Sequence, residues 1–143
     1  MIKKTLTGLG ALAFASSAVA DVVDTRRAVM DQVRMGAATL VPMLKGGAEF
    51  DARVADLALR MTYAASIAFS EGDLFPAGSE SKGANPAIWE KLDDFTAKRA
   101  EFVVNGAAAV KAQPKDLEAL IAVYQPMLEN CAACNKDYRI KDE

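Results

Sequence analysis

Apolar residues recur three or four positions apart through most of the chain from residue 21 onward, and strict two-residue alternation is rare. That period belongs to amphipathic helices, not to strands. Four segments carry it. The first runs from about Asp21 to Leu44, with Val23, Met30, Val33, Ala37, Leu40 and Leu44 on its inner stripe. Arg26, Arg27, Asp31 and Arg34 form its outer face. Pro42 is expected to bend the last turn and Gly46-Gly47 to stop the helix. The second opens at Asp51, a good N-cap, and reaches about Ser70. Val54, Leu57, Ala58, Met61, Ala65 and Ala68 mark its inner face.

Residues 74–84 hold Pro76, Gly78, Ser79, Ser81 and Gly83 and read as a loop. Asn85-Pro86 then supplies an N-cap and a proline at the first helical position. The third helix turns Ile88, Leu92, Phe95, Phe102 and Val103 inward and reaches about Lys111. The fourth spans about Pro114 to Tyr138. Its stripe is Leu117, Leu120, Ile121, Tyr124, Met127, Leu128, Cys131, Cys134 and Tyr138. Pro126 lies inside that pattern and predicts a kink or a late helix start. Short links join the first helix to the second and the third to the fourth, and a longer one joins the second to the third. The expected fold is all-α: one antiparallel up-down-up-down four-helix bundle over residues 21–143.

The first 20 residues follow a different pattern. Lys3 and Lys4 precede an apolar run from Leu6 to Phe14, and Ala18-Val19-Ala20 stands before Asp21. This is the layout of a signal peptide, residues 1–20, with its small-residue cleavage site. The run is shorter than the roughly 20 apolar residues of a membrane span. The chain is therefore expected to be exported to the periplasm, with no membrane span after signal removal.

Charge narrows the partners. Lys and Arg number 17 against 19 Asp and Glu, and the leader takes two lysines with it. A mildly acidic chain is not built for nucleic acid or an anionic membrane. It has no histidine, so a Ser-His-Asp set is impossible. No glycine-rich phosphate loop is present either. Hydrolysis and group transfer have no support, and the chain reads as a non-enzyme.

The chemistry concentrates in Cys131-Ala132-Ala133-Cys134-Asn135. Cys-x-x-Cys serves covalent haem attachment when histidine follows, thiol redox chemistry, and zinc binding. Thiol-redox motifs sit at helix N-termini, where the dipole favours thiolate. This pair lies near a helix C-terminus. Zinc needs four ligands, and two cysteines without histidine fall short. Export permits a Cys131–Cys134 disulfide, but its loop is too short to constrain the unfolded chain much.

Taken together, this motif with Tyr138-Arg139 behind it, Leu74-Phe75-Pro76-Ala77-Gly78-Ser79, Pro86-Ala87-Ile88-Trp89 with Phe95, and Arg27-Ala28-Val29-Met30 resemble the cytochrome c′ family, the four-helix class of c-type cytochromes. The resemblance covers the whole mature chain. It implies one covalent haem c near the end of the bundle, with Cys131 and Cys134 as the thioether residues. It implies Met30 as a possible sixth iron ligand, and puts Asn135 where the fifth ligand should be. It implies electron transfer with a redox partner protein, or binding of a small gas such as NO or CO. It also implies possible homodimers through the first two helices.

Asn135 departs from that pattern. Imidazole is a strong ligand to haem iron, whereas an amide offers only a hard, weak carbonyl oxygen. Two readings follow. In one, haem c is attached and iron leans on Met30, water or a lysine. In the other, the chain is a haem-free bundle with a Cys131/Cys134 dithiol or disulfide, acting as a binding or structural protein. The family role is the first. The literal chemistry at position 135 predicts loss of stoichiometric haem. Met35, Met43, Met61 and Met127 are expected in the core, Trp89 beside the loop, and Arg27 on a solvated face or near a haem propionate.

Overall fold

The computed structural model describes residues 10–140, with side chains from residue 21. The expected leader over residues 1–20 falls outside the described side chains. Five helices follow in order: α1 (Gly10–Leu44), α2 (Ala52–Glu71), α3 (Ala87–Glu90), α4 (Leu92–Ala112) and α5 (Leu117–Tyr138). The four long helices form the expected bundle. α1 packs on α2, α2 on α4, α4 on α5, and α5 returns to α1.

Terminal residues behave as their chemistry dictates. The carboxylate of Asp51 accepts the backbone N–H groups of Arg53 at 2.8 Å and Val54 at 3.2 Å, which satisfies orphan donors of the first turn. At the end of α1, Gly46 adopts φ +72°. The N–H of Gly47 then turns back to the carbonyl of Pro42 at 2.8 Å, closing the last turn. Asp116 caps α5 by accepting the N–H of Ala119 at 2.8 Å. α5 thus starts three residues later than expected from Pro114. It then runs unbroken through Pro126, so the late start that Pro126 suggested does not occur there.

The buried stripes are rotated from the expected ones. On α1 the buried positions are Arg26, Val29, Gly36, Leu40 and Met43, while Met30 and Val33 are half-buried. Arg26 is not on the outer face: it is 6% exposed. Met35 is not core: it is 55% exposed. On α2 the inner face is Ala55, Ala58, Leu59, Thr62, Ala65 and Ser66, and Val54 and Leu57 face out. Small residues let the backbones meet. A Cβ at Gly36 would stand 2.1 Å from Thr62 Oγ1. The stripe is set by this close approach and not by which residues are largest.

The expected third helix is two. α3 is one turn, and Lys91 (φ −126°, ψ 47°) breaks it from α4. The Asn85 side chain accepts the N–H of Ala87 at 3.0 Å, and Trp89 Nε1 donates to the carbonyls of Phe75 and Pro76 at 3.2 Å each. These bonds fix α3 to the preceding loop, and α4 restarts after Lys91. Leu92, at the restart, is 47% exposed. On α5, Ile121 is exposed and Asn130 is buried, the reverse of what their polarity suggests.

Two cores result. Leu40, Met43, Leu59, Phe102, Leu120 and Met127 fill the end of the bundle near the two short links. At the other end, Val29, Ala65 and Leu74 form one group, and Ile88, Phe95 and Tyr138 another. That second end adjoins the long loop and the end of α5. There the N–H of Asn85 donates to the carbonyl of Tyr138, and the N–H of Ile140 to that of Gly83, both at 3.1 Å.

Candidate functional site

Cys131 and Cys134 are one turn apart on α5, half-buried and unbonded to each other. Burial raises the thiol pKa of both, and the neighbouring Cys131 helps push Cys134 up from its ordinary 9.0 to about 11. Both are therefore protonated thiols near neutral pH. A thiol-redox centre needs the opposite shift. Among the described residues, no group of three or more His, Cys, Asp or Glu is arranged to hold a metal ion.

The two thiols open onto a cavity of about 560 Å³ between the helices. Small-molecule and cofactor sites occupy roughly 300–1,000 Å³. The cavity brings together residues far apart in sequence: Met30 from α1, Cys131, Cys134 and Asn135 from α5, and Arg27 at its rim. Arg27 is exposed and pairs with Asp24 at 3.3 Å, so it belongs both to the solvated face and to the lining. Asn135 is also exposed, and its Nδ2 donates to the carbonyl of Cys131 at 2.7 Å. Its amide donor is thus tied to its own helix.

Three features of the lining were not read from the sequence. The first is an aromatic cradle. Phe75 meets Phe69 and Phe95 edge to face, with centroids 5.5 and 4.7 Å apart, and Phe95 meets Tyr138 at 5.0 Å. The Leu74-Phe75 segment pointed to this loop, and its partner Phe69, four residues after Ala65 on the α2 stripe, was an available signal that was passed over.

The second is a pair of guanidinium groups. Arg26 lies 4.8 Å from the Phe75 ring centre, and Arg99 lies 5.4 Å from it and 5.0 Å from that of Phe95, in cation–π range. Arg26 donates to the carbonyl of Ser79, and Arg99 to that of Phe69 at 3.0 Å. Burial lowers the pKa of both. Arg26 Nη1 and Arg99 Nε are buried with no hydrogen-bond partner. Counting the whole lining, five arginines and two lysines face one acid, Asp31. An Arg on an otherwise apolar stripe is the available clue, and Arg26 carries it.

The third is Asn130, buried beside Cys131. Its Nδ2 donates to the carbonyl of Lys98 and to Glu101 Oε2, both at 3.2 Å. Nearby, Tyr138 donates to Asp94, and that bond, together with partial desolvation, pushes the phenol up to about 12.

A haem c fits what is present. Two thiols stand in the wall, the cavity is of cofactor size, and aromatic rings offer an apolar face. Buried guanidinium groups with unpartnered donors suit a ligand that carries carboxylates. The misfit is confined to position 135.

A four-helix bundle that encloses a cation-rich, cofactor-sized cavity against a Cys-x-x-Cys pair defines the class of protein. Residues 21–139 match the family described as Cytochrome C′. The chain is 32% identical over 142 residues to cytochrome c-556 of Agrobacterium fabrum, covering 96% of each chain. It is 36% identical over 130 residues to cytochrome c′ of Rhodopseudomonas palustris, covering 85% of this chain and 83% of that one. Among solved structures, cytochrome c′ from Rhodopseudomonas palustris superposes with TM-score 0.78 at 32% identity, over 86% of this chain and 98% of that one. Cytochrome c′ from Shewanella frigidimarina gives TM-score 0.79 at 27% identity, over 86% and 97%. The chain belongs to the cytochrome c′ family. Members of this family carry a covalently attached haem c, and the haem-free alternative is not favoured.

Proposed function

We propose that the chain is a periplasmic haem-c protein that binds small gases, with Cys131 and Cys134 as its thioether residues and no strong protein ligand on the Asn135 side. The observation that carries this reading is the 560 Å³ cavity beside both thiols. A bundle that had filled the site with its own side chains would have no such space. Haem, when bound, supplies an iron centre that takes small ligands and changes oxidation state. The chain's own residues do the rest. Arg26 and Arg99 offer N–H donors to the carboxylates. Phe69, Phe75 and Phe95 keep water from the ring. Asn135 offers at most a weak carbonyl oxygen.

Met30 favours a second reading. It lines the cavity from α1, and as an axial ligand it would suit electron transfer to a redox partner protein. The apolar exposure of Met35 on α1 and of Val54 and Leu57 on α2 also supports a homodimer through those helices. No helix among the described residues is long and apolar enough to cross a membrane.

Intact mass and a pyridine haemochrome spectrum, on protein from a host with haem-attachment machinery, test the main reading. One haem per chain with a high-spin spectrum is expected, and Asn135→His should convert it to a histidine-ligated spectrum. If both proteins emerge folded and colourless, the haem reading is wrong. A low-spin spectrum lost in Met30→Ala would establish the second reading instead.

A further inference from the structure

Tyr138 stands between two different surroundings. The residue is 4% exposed, its ring packs edge to face on Phe95, and it lines the same cavity as Cys134. Its hydroxyl donates to Asp94 on α4, which lies outside the cavity lining and whose side chain is 55% exposed. Among the described residues, Tyr138 is the one tyrosine whose phenol donates to a carboxylate. Lys98 Nζ stands 3.8 Å from the same carboxylate. The bond to Asp94 and partial desolvation keep the phenol protonated up to about pH 12. An electron therefore leaves this ring readily only when the proton leaves with it. A phenol that loses an electron becomes a strong acid, and a base already within hydrogen-bond reach is the group that takes the proton. The other rings of the cradle lack this arrangement. Phe69, Phe75 and Phe95 have no acidic proton, and Trp89 Nε1 donates to two carbonyls, which are poor bases.

We propose that Tyr138 is a redox-active side chain, which gives one electron to an oxidant in the cavity while its phenol proton passes to Asp94. The O–H bond of Tyr138 breaks, the proton bonds to Asp94 Oδ2, the oxidant gains the electron, and a neutral tyrosyl radical remains. Lys98 beside Asp94 disfavours the protonated acid, and the exposure of Asp94 hands the proton on to water. The oxidant is a hydroperoxide, which takes two electrons and two protons to become water and an alcohol, or two waters from hydrogen peroxide. Tyr138 supplies one electron and the bound cofactor the other, with the second proton drawn from water. The oxidising equivalent is thereby drawn away from Met30, a cavity sulfur of a kind that peroxides oxidise. The inference rests on the haem assignment for what activates the peroxide, but not for the chemistry of Tyr138.

The first arm of the test uses the full chain without haem, both thiols alkylated, and flash-generated ruthenium(III) tris-bipyridine. A tyrosyl radical is expected by electron paramagnetic resonance of rapidly frozen samples, with hyperfine structure that collapses when the chain carries ring-deuterated tyrosine. Its formation should slow in D2O and be independent of buffer concentration, because the base is built in. Tyr138→Phe should remove most of the signal. Asp94→Asn keeps the size and loses the base, and should slow formation about a hundredfold, the low end of what a positioned base contributes. The buffer measurement uses the unaltered protein, so it decides the matter even if a variant does not fold: a rate that climbs with buffer base would mean a tyrosine oxidised in water. The second arm adds hydrogen peroxide to the haem-loaded chain, where the same signal is expected and should be absent in Tyr138→Phe. An undiminished signal in Tyr138→Phe, an unchanged rate in Asp94→Asn, or no radical in the loaded protein would each overturn the proposal. Normal haem loading without the radical would leave the gas-binding assignment standing. A chain that takes up no haem would sink that assignment alone, and the ruthenium arm would then decide Tyr138.

Discussion

At the end of the bundle near the short links, Leu40, Leu59 and Leu120 are fully buried and Met127 is nearly so. Their own side chains fill the space. At the opposite end Met30, Cys131 and Cys134 are only half-buried. Between them lies a 560 Å³ cavity faced by arginines and phenylalanines. The same four helices build both ends, with the same spacing of apolar residues. The difference is what stands at the inward positions. Leucine and methionine close one end, while cysteine, arginine and asparagine leave the other open. One end therefore holds the fold together, and this frees the other to stay hollow and charged, which a core could not be.

Substitution can break that comparison. Leu120→Ala should have the largest effect, a loss of about 2–5 kcal/mol in urea or thermal unfolding, because a fully buried leucine leaves a cavity behind. Gly36→Ala should come next. Its new methyl meets Thr62 Oγ1, which already donates to the carbonyl of Ala58 at 2.9 Å. Overpacking of this kind lowers stability by about 1–3 kcal/mol. Met30→Ala, measured on haem-free protein, should lose no more than about 1 kcal/mol, since a half-buried side chain beside an existing cavity gives up little. If Met30→Ala proved as damaging as Leu120→Ala, the two ends would not differ as described.

The smallest effect is a titration. In haem-free protein, burial holds Cys134 protonated up to about pH 11, while the unfolded chain ionises near the ordinary 9.0. The folded state binds more protons in that window, so stability should fall as pH rises from about 9 to 11. Alkylation of the folded protein should likewise keep accelerating through that range. A rate that levelled off near pH 9 would mean the thiols are in water, not at a cavity wall.

Much of the fold was legible in the sequence. Asp51 caps α2, Gly46 ends α1 and Asn85 opens α3, all for reasons local to a few residues. The bundle follows from four periodic segments and their link lengths. The rotation of each stripe was not legible. Val54 and Leu57 look like core by size, but α2 turns Ala55, Ala58 and Thr62 toward its neighbours, and helix contact distance is a property of pairs. Of the site, the sequence singled out Met30, Cys131, Cys134 and Asn135, and the structure brings all four to one cavity. Arg26 was misread because a charge on a helix usually means water. Arg99 and Asn130 were missed because each is explained only by what faces it: three aromatic rings for one, Lys98 and Glu101 for the other.

The clamp between residues 83–85 and 138–140 has a mechanical consequence. The N–H of Asn85 donates to the carbonyl of Tyr138, and the N–H of Ile140 to that of Gly83. The loop wall of the cavity is thus fastened to the same stretch of chain that carries Cys131 and Cys134. A displacement of the end of α5 pulls that wall with it, so loop and thiols move as one lever and not as separate parts.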